Sequence, residues 1–274
     1  MPVQEEVIPY LLGNRNDVIA LAQTGTGKTA AFGIPLLQRI DTDSKETQAI
    51  VLSPTRELCL QIADDLNAFA RYIPHVHIVP VYGGASIEAQ IRSLRHGAQI
   101  IVATPGRLID LMHRGKARLD NARNVVFDEA DEMLNMGFQD SITEILEGIP
   151  EERNTLLFSA TMPDKIEDLA KTLLKNPVEV KLAVSKPAEK IQQKAYVCYE
   201  TQKMAILKDI FKAGDLNRVI IFSGSKQKVK QIAASLKRMK VNCGEMHSDL
   251  DQAERDEMMF QFKSGQRAVF VATD

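Results

Sequence analysis

Two short stretches carry the residue types that handle phosphate. The first runs Val18-Ile-Ala-Leu-Ala-Gln-Thr24-Gly25-Thr26-Gly27-Lys28-Thr29. It reads as an apolar strand, a glycine turn and the start of a helix. Gly25 and Gly27 let the backbone between Thr24 and Lys28 turn its N–H groups inward around an anion, where a Cβ would obstruct. A helix starting near Lys28 adds the positive end of its dipole. The Lys28 ammonium can reach the outer phosphates of a triphosphate, and the Thr29 hydroxyl can ligate Mg²⁺. The pattern is that of a P-loop, with Ala22 in place of its first glycine.

The second stretch is Asn124-Val-Val-Phe-Asp128-Glu129-Ala130-Asp131. An apolar strand delivers adjacent carboxylates at its C-terminal end, where open α/β sheets bind ligands. Asp128 is placed to hold Mg²⁺ through water. Glu129 is placed to orient an attacking water and take its proton. The same acids could instead form the favoured N-terminus of a helix. Together the two stretches indicate an ATP or GTP hydrolase, and a small-molecule kinase or a GTPase could carry both.

The elements that must position these groups alternate along the chain. Strands are expected at Asp17–Ala20, Ala49–Leu52, His77–Val81, Ile100–Ala103, Asn124–Phe127 and Thr155–Phe158. Their apolar character is nearly continuous, as in parallel strands buried on both faces. Helical patterns lie between them at Lys28–Ile40, Leu58–Arg71, Ile87–His96, Arg107–Arg114, Asp140–Gly148 and Pro163–Leu174. This alternation predicts an α/β layered fold with right-handed crossovers. Lys181–Lys190 has three lysines, a proline and no period, and reads as a linker between domains at 1–180 and 191–274. The pattern then restarts, with strands expected at Gln192–Tyr199, Arg218–Phe222, Val241–Met246 and Ala268–Ala272. Helices are expected at Lys203–Phe211, Lys226–Met239 and Gln252–Lys263, with Met258, Met259 and Phe262 as core residues.

Bulk properties narrow the class. With 45% hydrophobic and 26% charged residues the composition is that of an ordinary globular protein. No apolar run approaches the roughly 18–20 residues that span a bilayer, so no membrane partner is expected. Cys59, Cys198 and Cys243 form no CxxC. That fits free thiols in a reducing cytoplasm and argues against a zinc site. His75 and His77, and the acidic loop Asp41 to Glu46, lack the further ligands a metal site needs. The formal net charge is −2, and residues 1–190 hold 20 Lys+Arg against 26 Asp+Glu. Phosphate-backbone binding must therefore be local rather than driven by a global basic field.

The sequence resembles the DEAD-box family of RNA helicases, because Asp128-Glu129-Ala130-Asp131 spells its signature. Companion motifs follow in order: Pro54-Thr55-Arg56-Glu57-Leu58, Gly83-Gly84, Thr104-Pro105-Gly106-Arg107 and Ser159-Ala160-Thr161. In the second half stand Ile221-Phe222-Ser223-Gly224, Gln252-Ala253-Glu254-Arg255 and Val271-Ala272-Thr273-Asp274. The likeness implies two RecA-like P-loop domains with parallel sheets, the second incomplete. It implies an ATP-dependent RNA helicase that uses ATP and Mg²⁺, works as a monomer, closes its two domains on RNA and peels short duplexes apart. Gln4 is similar to the family's adenine-reading glutamine, whose amide pairs with adenine and mismatches guanine. Pro54, Thr55, Arg56, Gly84, Thr104, Gly106, Arg107, Ser223, Gly224 and Thr273 are similar to its RNA contacts, which grip sugar and phosphate rather than bases. Arg107 is the strongest candidate among them for phosphate. Asp131, Ser159, Thr161, Gln252 and Arg255 are similar to residues that couple the nucleotide site to RNA. Thr55 and Thr104 could equally be helix caps.

By the same likeness, the arginine-finger motif of the second domain is expected beyond Asp274, leaving weak RNA-stimulated turnover. An RNA clamp that holds without turnover, and a DNA translocase, are the rival readings. Glu129→Gln in the full-length parent tests the first and RNA–DNA competition for binding the second.

Overall fold

The computed structural model describes residues 1–181, 191–214 and 216–273. They fall into two compact units, Met1–Glu189 and Lys190–Asp274. The expected linker, apart from Lys181, lies outside the described residues.

The first unit contains helices α1 (Pro2–Gly13), α2 (Lys28–Gln38), α3 (Arg56–Phe69), α4 (Ile87–Arg95), α5 (Pro105–His113), α6 (Ala130–Asn135), α7 (Gln139–Glu147) and α8 (Asp164–Leu173). Its strands are β1 (Val18–Leu21), β2 (Ala49–Leu52), β3 (Ile78–Val81), β4 (Ile100–Ala103), β5 (Asn124–Phe127), β6 (Asn154–Ser159) and β7 (Val178–Lys181). All seven pair in parallel, in the order β3-β4-β2-β5-β6-β1-β7. The continuous apolar runs follow from this, since alternate side chains enter two separate cores. Ile19, Leu21, Ile50, Leu52, Val125 and Phe127 meet α5 to α8 on one face. Val18, Ala20, Ala49, Val51 and Val126 meet α1 to α3 on the other. There Phe32 packs edge-on against Phe158, with centroids 5.2 Å apart. Below the sheet, buried Asp17 accepts hydrogen bonds from the backbone N–H of Thr155 (2.7 Å) and of Lys175 (2.6 Å). This fixes the lower ends of neighbouring strands.

The second unit has a 3₁₀ turn at Glu200–Gln202, helices α9 (Lys203–Ala213), α10 (Lys226–Arg238) and α11 (Gln252–Lys263), and strands β8 (Val219–Phe222), β9 (Cys243–Met246) and β10 (Val269–Ala272). They form a parallel sheet in the order β8-β10-β9. Its core is Val229, Ala233, Leu236, Cys243, Val269 and Val271. A Cβ on Gly244 would come within 2.3 Å of Met258 Sδ, so the glycine admits that methionine onto β9.

Several expectations need correction. Residues 2–13 form a helix that the sequence reading did not assign, with Pro2 in its first turn and Pro9 inside it. The short α6 and the edge strand β7 were also not expected, and Lys181 belongs to β7 rather than to a linker. Gln192–Tyr199 is not a strand. Among the described residues no strand pairs with it, and Tyr196, Val197 and Tyr199 are exposed. Met258, Met259 and Phe262 are only half-buried, because α11 lies on a small sheet with little core beneath it.

Candidate nucleotide and nucleic-acid site

The strand order divides the C-terminal edge of the first sheet into two halves. Neighbours β5, β6 and β1 end at Asp128–Glu129, Ser159–Thr161 and the glycine loop. Neighbours β3, β4 and β2 end at Gly84, Thr104–Arg107 and Pro54–Arg56.

In the first half, Gly25 and Gly27 hold left-handed angles, with φ of 81° and 85°. The loop is braced by the Thr26 hydroxyl, which donates to Gln23 O at 2.7 Å. Lys28 opens α2 and is buried. Its Nζ lies 2.8 Å from Glu129 Oε1 and 3.6 Å from Asp128 Oδ1. The Thr24 hydroxyl donates to the same Glu129 oxygen at 3.0 Å. Four residues from two stretches about a hundred positions apart thus meet at one point, with the Thr29 hydroxyl one residue on in the same first turn. Gln4, on α1, donates from Nε2 to Gly27 O at 3.2 Å, which lays its amide against the glycine loop.

The electrostatics suit a cation. Burial pushes the Asp128 carboxyl up to about 6; Lys28 pulls it back and Glu129 pushes it further up. A buried carboxylate that one lysine does not fully compensate is the chemistry a divalent cation answers. Among the described residues no three His, Cys, Asp or Glu side chains cluster as a metal site. Mg²⁺ takes one or two carboxylate or hydroxyl ligands and completes its shell with phosphate and water; Thr29 and Asp128 would supply them.

Asp131 lies one turn further on. Its Oδ2 accepts from the Thr161 backbone N–H (3.0 Å) and hydroxyl (2.7 Å), and the Ser159 hydroxyl donates to Thr161 O (2.8 Å). Burial raises this carboxyl, but the hydrogen bonds from Thr161, with the Ser159 hydroxyl close by, outweigh it and hold it below its ordinary value.

In the second half, the Thr55 hydroxyl caps α3 by accepting from Leu58 N at 3.3 Å, while Thr104 at the head of α5 makes no side-chain cap bond. The Arg56 guanidinium lies over the Tyr82 ring, 5.2 Å from its centroid. Arg107 Nη1 donates to Ala85 O at 3.1 Å and to Gln90 Oε1 at 3.2 Å. Buried Gln90 in turn donates to Tyr82 O at 2.9 Å. Arg107 thus also steadies the loop bearing Gly84, a role sequence reasoning missed. Gln90 and Tyr82 carried no motif signal. Gly106, in the first turn of α5, has open space at its Cβ position.

In the second unit, Ser223 and Gly224 follow β8 and Thr273 follows β10, together at the C-terminal edge of that sheet. Gln252 opens α11 and donates to Asp256 Oδ1 at 3.1 Å; Arg255, three residues on, shares its face.

A family model described as DEAD/DEAH box helicase matches residues 1–169, and one described as Helicase conserved C-terminal domain matches residues 202–274. The chain belongs to the DEAD-box helicase family. Among the family's members, the ATP-dependent RNA helicase DeaD of Buchnera aphidicola is 41% identical over the whole chain, which covers 45% of that protein. The DEAD-box ATP-dependent RNA helicase CshA of Geobacillus kaustophilus is 43% identical over the whole chain, which covers 58% of it. The chain therefore spans about half the length of these DEAD-box relatives. Among solved structures, S. cerevisiae Dbp5 bound to RNA and ADP BeF3 aligns with a TM-score of 0.86 at 29% identity, over 99% of this chain and 69% of that one. A DEAD box protein from Methanococcus jannaschii aligns with a TM-score of 0.63 at 35% identity, over 99% and 73%.

Proposed function

We propose that the protein binds ATP with Mg²⁺ and couples its hydrolysis to remodelling or unwinding short RNA duplexes. The observation that carries this reading is the meeting of Lys28, Asp128 and Glu129 within 2.8 to 3.6 Å at the mouth of a glycine loop. When bound, Mg²⁺ would neutralise charge that develops on the phosphates during transfer. Thr29 and Asp128 would hold it. The loop N–H groups between Thr24 and Thr29 cradle the phosphates, and Lys28 turns from Glu129 to the outermost phosphate. Glu129, so released, orients the attacking water and accepts its proton. Gln4 selects adenine through its side-chain amide.

The neighbouring half of the edge supports an RNA-backbone contact surface. Pro54–Arg56, Gly84 and Thr104–Arg107 offer backbone N–H groups, a hydroxyl and guanidinia, which suit phosphate and 2′-hydroxyl recognition without base reading. We assign Ser223, Gly224 and Thr273 the same role in the second unit. Asp131, Ser159 and Thr161, with Gln252 and Arg255, are assigned to coupling between nucleotide and RNA. The protein is proposed to act as a monomer in the cytoplasm.

The test pairs binding with turnover. ATP should bind in the presence of Mg²⁺ and lose affinity in Lys28→Ala, and in the full-length parent ATP hydrolysis should respond to RNA but not to the matching DNA. Equal affinity of Lys28→Ala and the unaltered chain for ATP would remove the basis of the reading.

A further inference from the structure

At the opposite, N-terminal edge of the first sheet lies a cavity of about 690 Å³ that the function above does not use. Four arginines line it in a unit whose overall charge is negative. Arg123 and Arg153 immediately precede β5 and β6, and Arg15 stands just before β1, so the three enter from adjacent strands. Asn124 and Asn154 are in register, and Asn154 N donates to Arg123 O at 2.8 Å. Arg123 and Arg153 are therefore side by side, about one strand spacing (~4.8 Å) apart at the backbone. Like charges so placed oppose folding.

The arrangement is built rather than loose. Asn154 is buried, and its Nδ2 donates to Arg15 O (3.2 Å) and Asn16 O (2.6 Å). Its Oδ1 accepts from Arg39 Nη1 at 2.9 Å, while Arg39 Nη2 reaches the carbonyls of Leu11 and Asn14. Burial, and then the neighbouring Arg15 charge, push the Arg39 guanidinium below its usual range. Arg153 Nε is buried and meets no hydrogen-bond partner among the described residues.

Three carboxylates also face the cavity. Asp41 accepts from Asp43 N at 3.0 Å, Glu46 accepts from the Asn121 amide, and Glu152 precedes Arg153 in the chain. Among the described residues none of the three makes an ion pair with any of the four arginines. The Gln48 amide in the wall is occupied, exchanging two 2.8 Å hydrogen bonds with the Asp41 backbone. That leaves guanidinia without a carboxylate partner: Arg123 Nη1 donates to Asp120 O at 3.3 Å and Arg153 Nη1 to Pro150 O at 3.2 Å, and their remaining forked donors match phosphate oxygens. A second cavity of about 270 Å³ shares Glu46 and Asn121 with the first and adds Lys45, Lys116 and Arg118, the last paired with Asp120.

We propose that this cavity is a second anion site, taking a phosphate chain on Arg15, Arg123 and Arg153, with Arg39 and Asn154 as its frame. The chain is either a free oligophosphate or the backbone of RNA. The proposal does not rest on the nucleotide reading, since it concerns the other end of the strands.

The experiment uses the 274-residue chain carrying Lys28→Ala, which removes the glycine loop's own affinity for phosphate. Tripolyphosphate is titrated calorimetrically and by thermal shift. Saturable binding with a raised melting temperature is expected. Arg123→Gln with Arg153→Gln should weaken that binding by roughly tenfold or more. Without anion, the doubly substituted chain should melt no lower than its parent, because two like charges are gone. Absence of saturable binding, affinity indifferent to the two substitutions, or a clear drop in the anion-free melting temperature would each overturn the site; the last would make the arginines structural. Single-stranded RNA is then added in competition. Displacement of tripolyphosphate assigns the site to RNA backbone, and persistence of binding assigns it to a free oligophosphate; both support the site.

Discussion

Glu129 adopts left-handed backbone angles, φ 53° and ψ 51°, at the head of a six-residue helix. A non-glycine residue held there is strained, and such positions persist where the surroundings fix them. Here Thr24 and Lys28 grip its carboxylate from the glycine loop. If Glu129 accepts the proton of the attacking water, Glu129→Gln should lower ATP turnover by about 10²–10⁴ while leaving ATP affinity within a few-fold, because an amide keeps the shape and loses the base. Unchanged turnover in steady-state assays would remove Glu129 from that role. The cysteines offer a second check at this scale. Burial pushes the Cys59 thiol up to about 12 and also raises Cys243, whereas Cys198 is partly exposed. Since the thiolate is the nucleophile, alkylation of the native protein should modify Cys198 first, with Cys59 and Cys243 reacting only on unfolding. Mass mapping that found Cys59 labelled early would contradict the packing of α3 on the sheet.

Elements turn these residues into a site, and the loop between β1 and α2 shows how. Gly27 caps α2 at φ 85°, and a Cβ there would come within 2.4 Å of Gln4 Nε2 and 2.6 Å of Met1 Sδ. Those side-chain tips can move, so the backbone angle sets the cost. Gly27→Ala should destabilise the first unit by about 1–2 kcal/mol and break the Gln4 contact. Gly106→Ala, inside α5 with open space at its Cβ, should instead be neutral or gain up to about 1 kcal/mol. Denaturant midpoints would separate the two, and equal losses would discount the left-handed turn. Most of this organisation was legible in the sequence. The strand runs are buried on both faces, so their apolar character was unbroken. The two phosphate-handling stretches both follow such runs, which places them on one edge. What escaped had weaker local signals. In α1 the pattern is interrupted by Pro9, α6 is only six residues long, and Val-Glu-Val-Lys in β7 is a half-exposed edge. Gln192–Tyr199 ends in the strand-prone run Ala-Tyr-Val-Cys-Tyr, but propensity supplies no partner. The bracing of Ala85 by Arg107 joins residues 22 apart through a loop, which spacing alone does not reveal.

At the scale of the whole molecule the two units differ in how much they bury. The first sheet is covered on both faces, and its central strands β1, β2 and β5 are buried almost throughout. The second sheet has three strands over one small core, while Ile220 and Phe222 of β8 are 51% and 67% exposed. Burial supplies roughly 25 cal/mol per Å² of apolar surface, and opening free energies of individual segments follow local burial. Amides of β8, β9 and β10 should therefore exchange with solvent through openings that cost much less than those of β1, β5 and β6. Native-state hydrogen exchange resolved by strand would measure this. The ordering should survive saturating ATP and Mg²⁺, because the carboxylates and lysine assigned to that ligand all lie in the first unit and its binding would deepen the difference. Equal protection of the two sheets would mean that the second unit draws stability from something other than its own core.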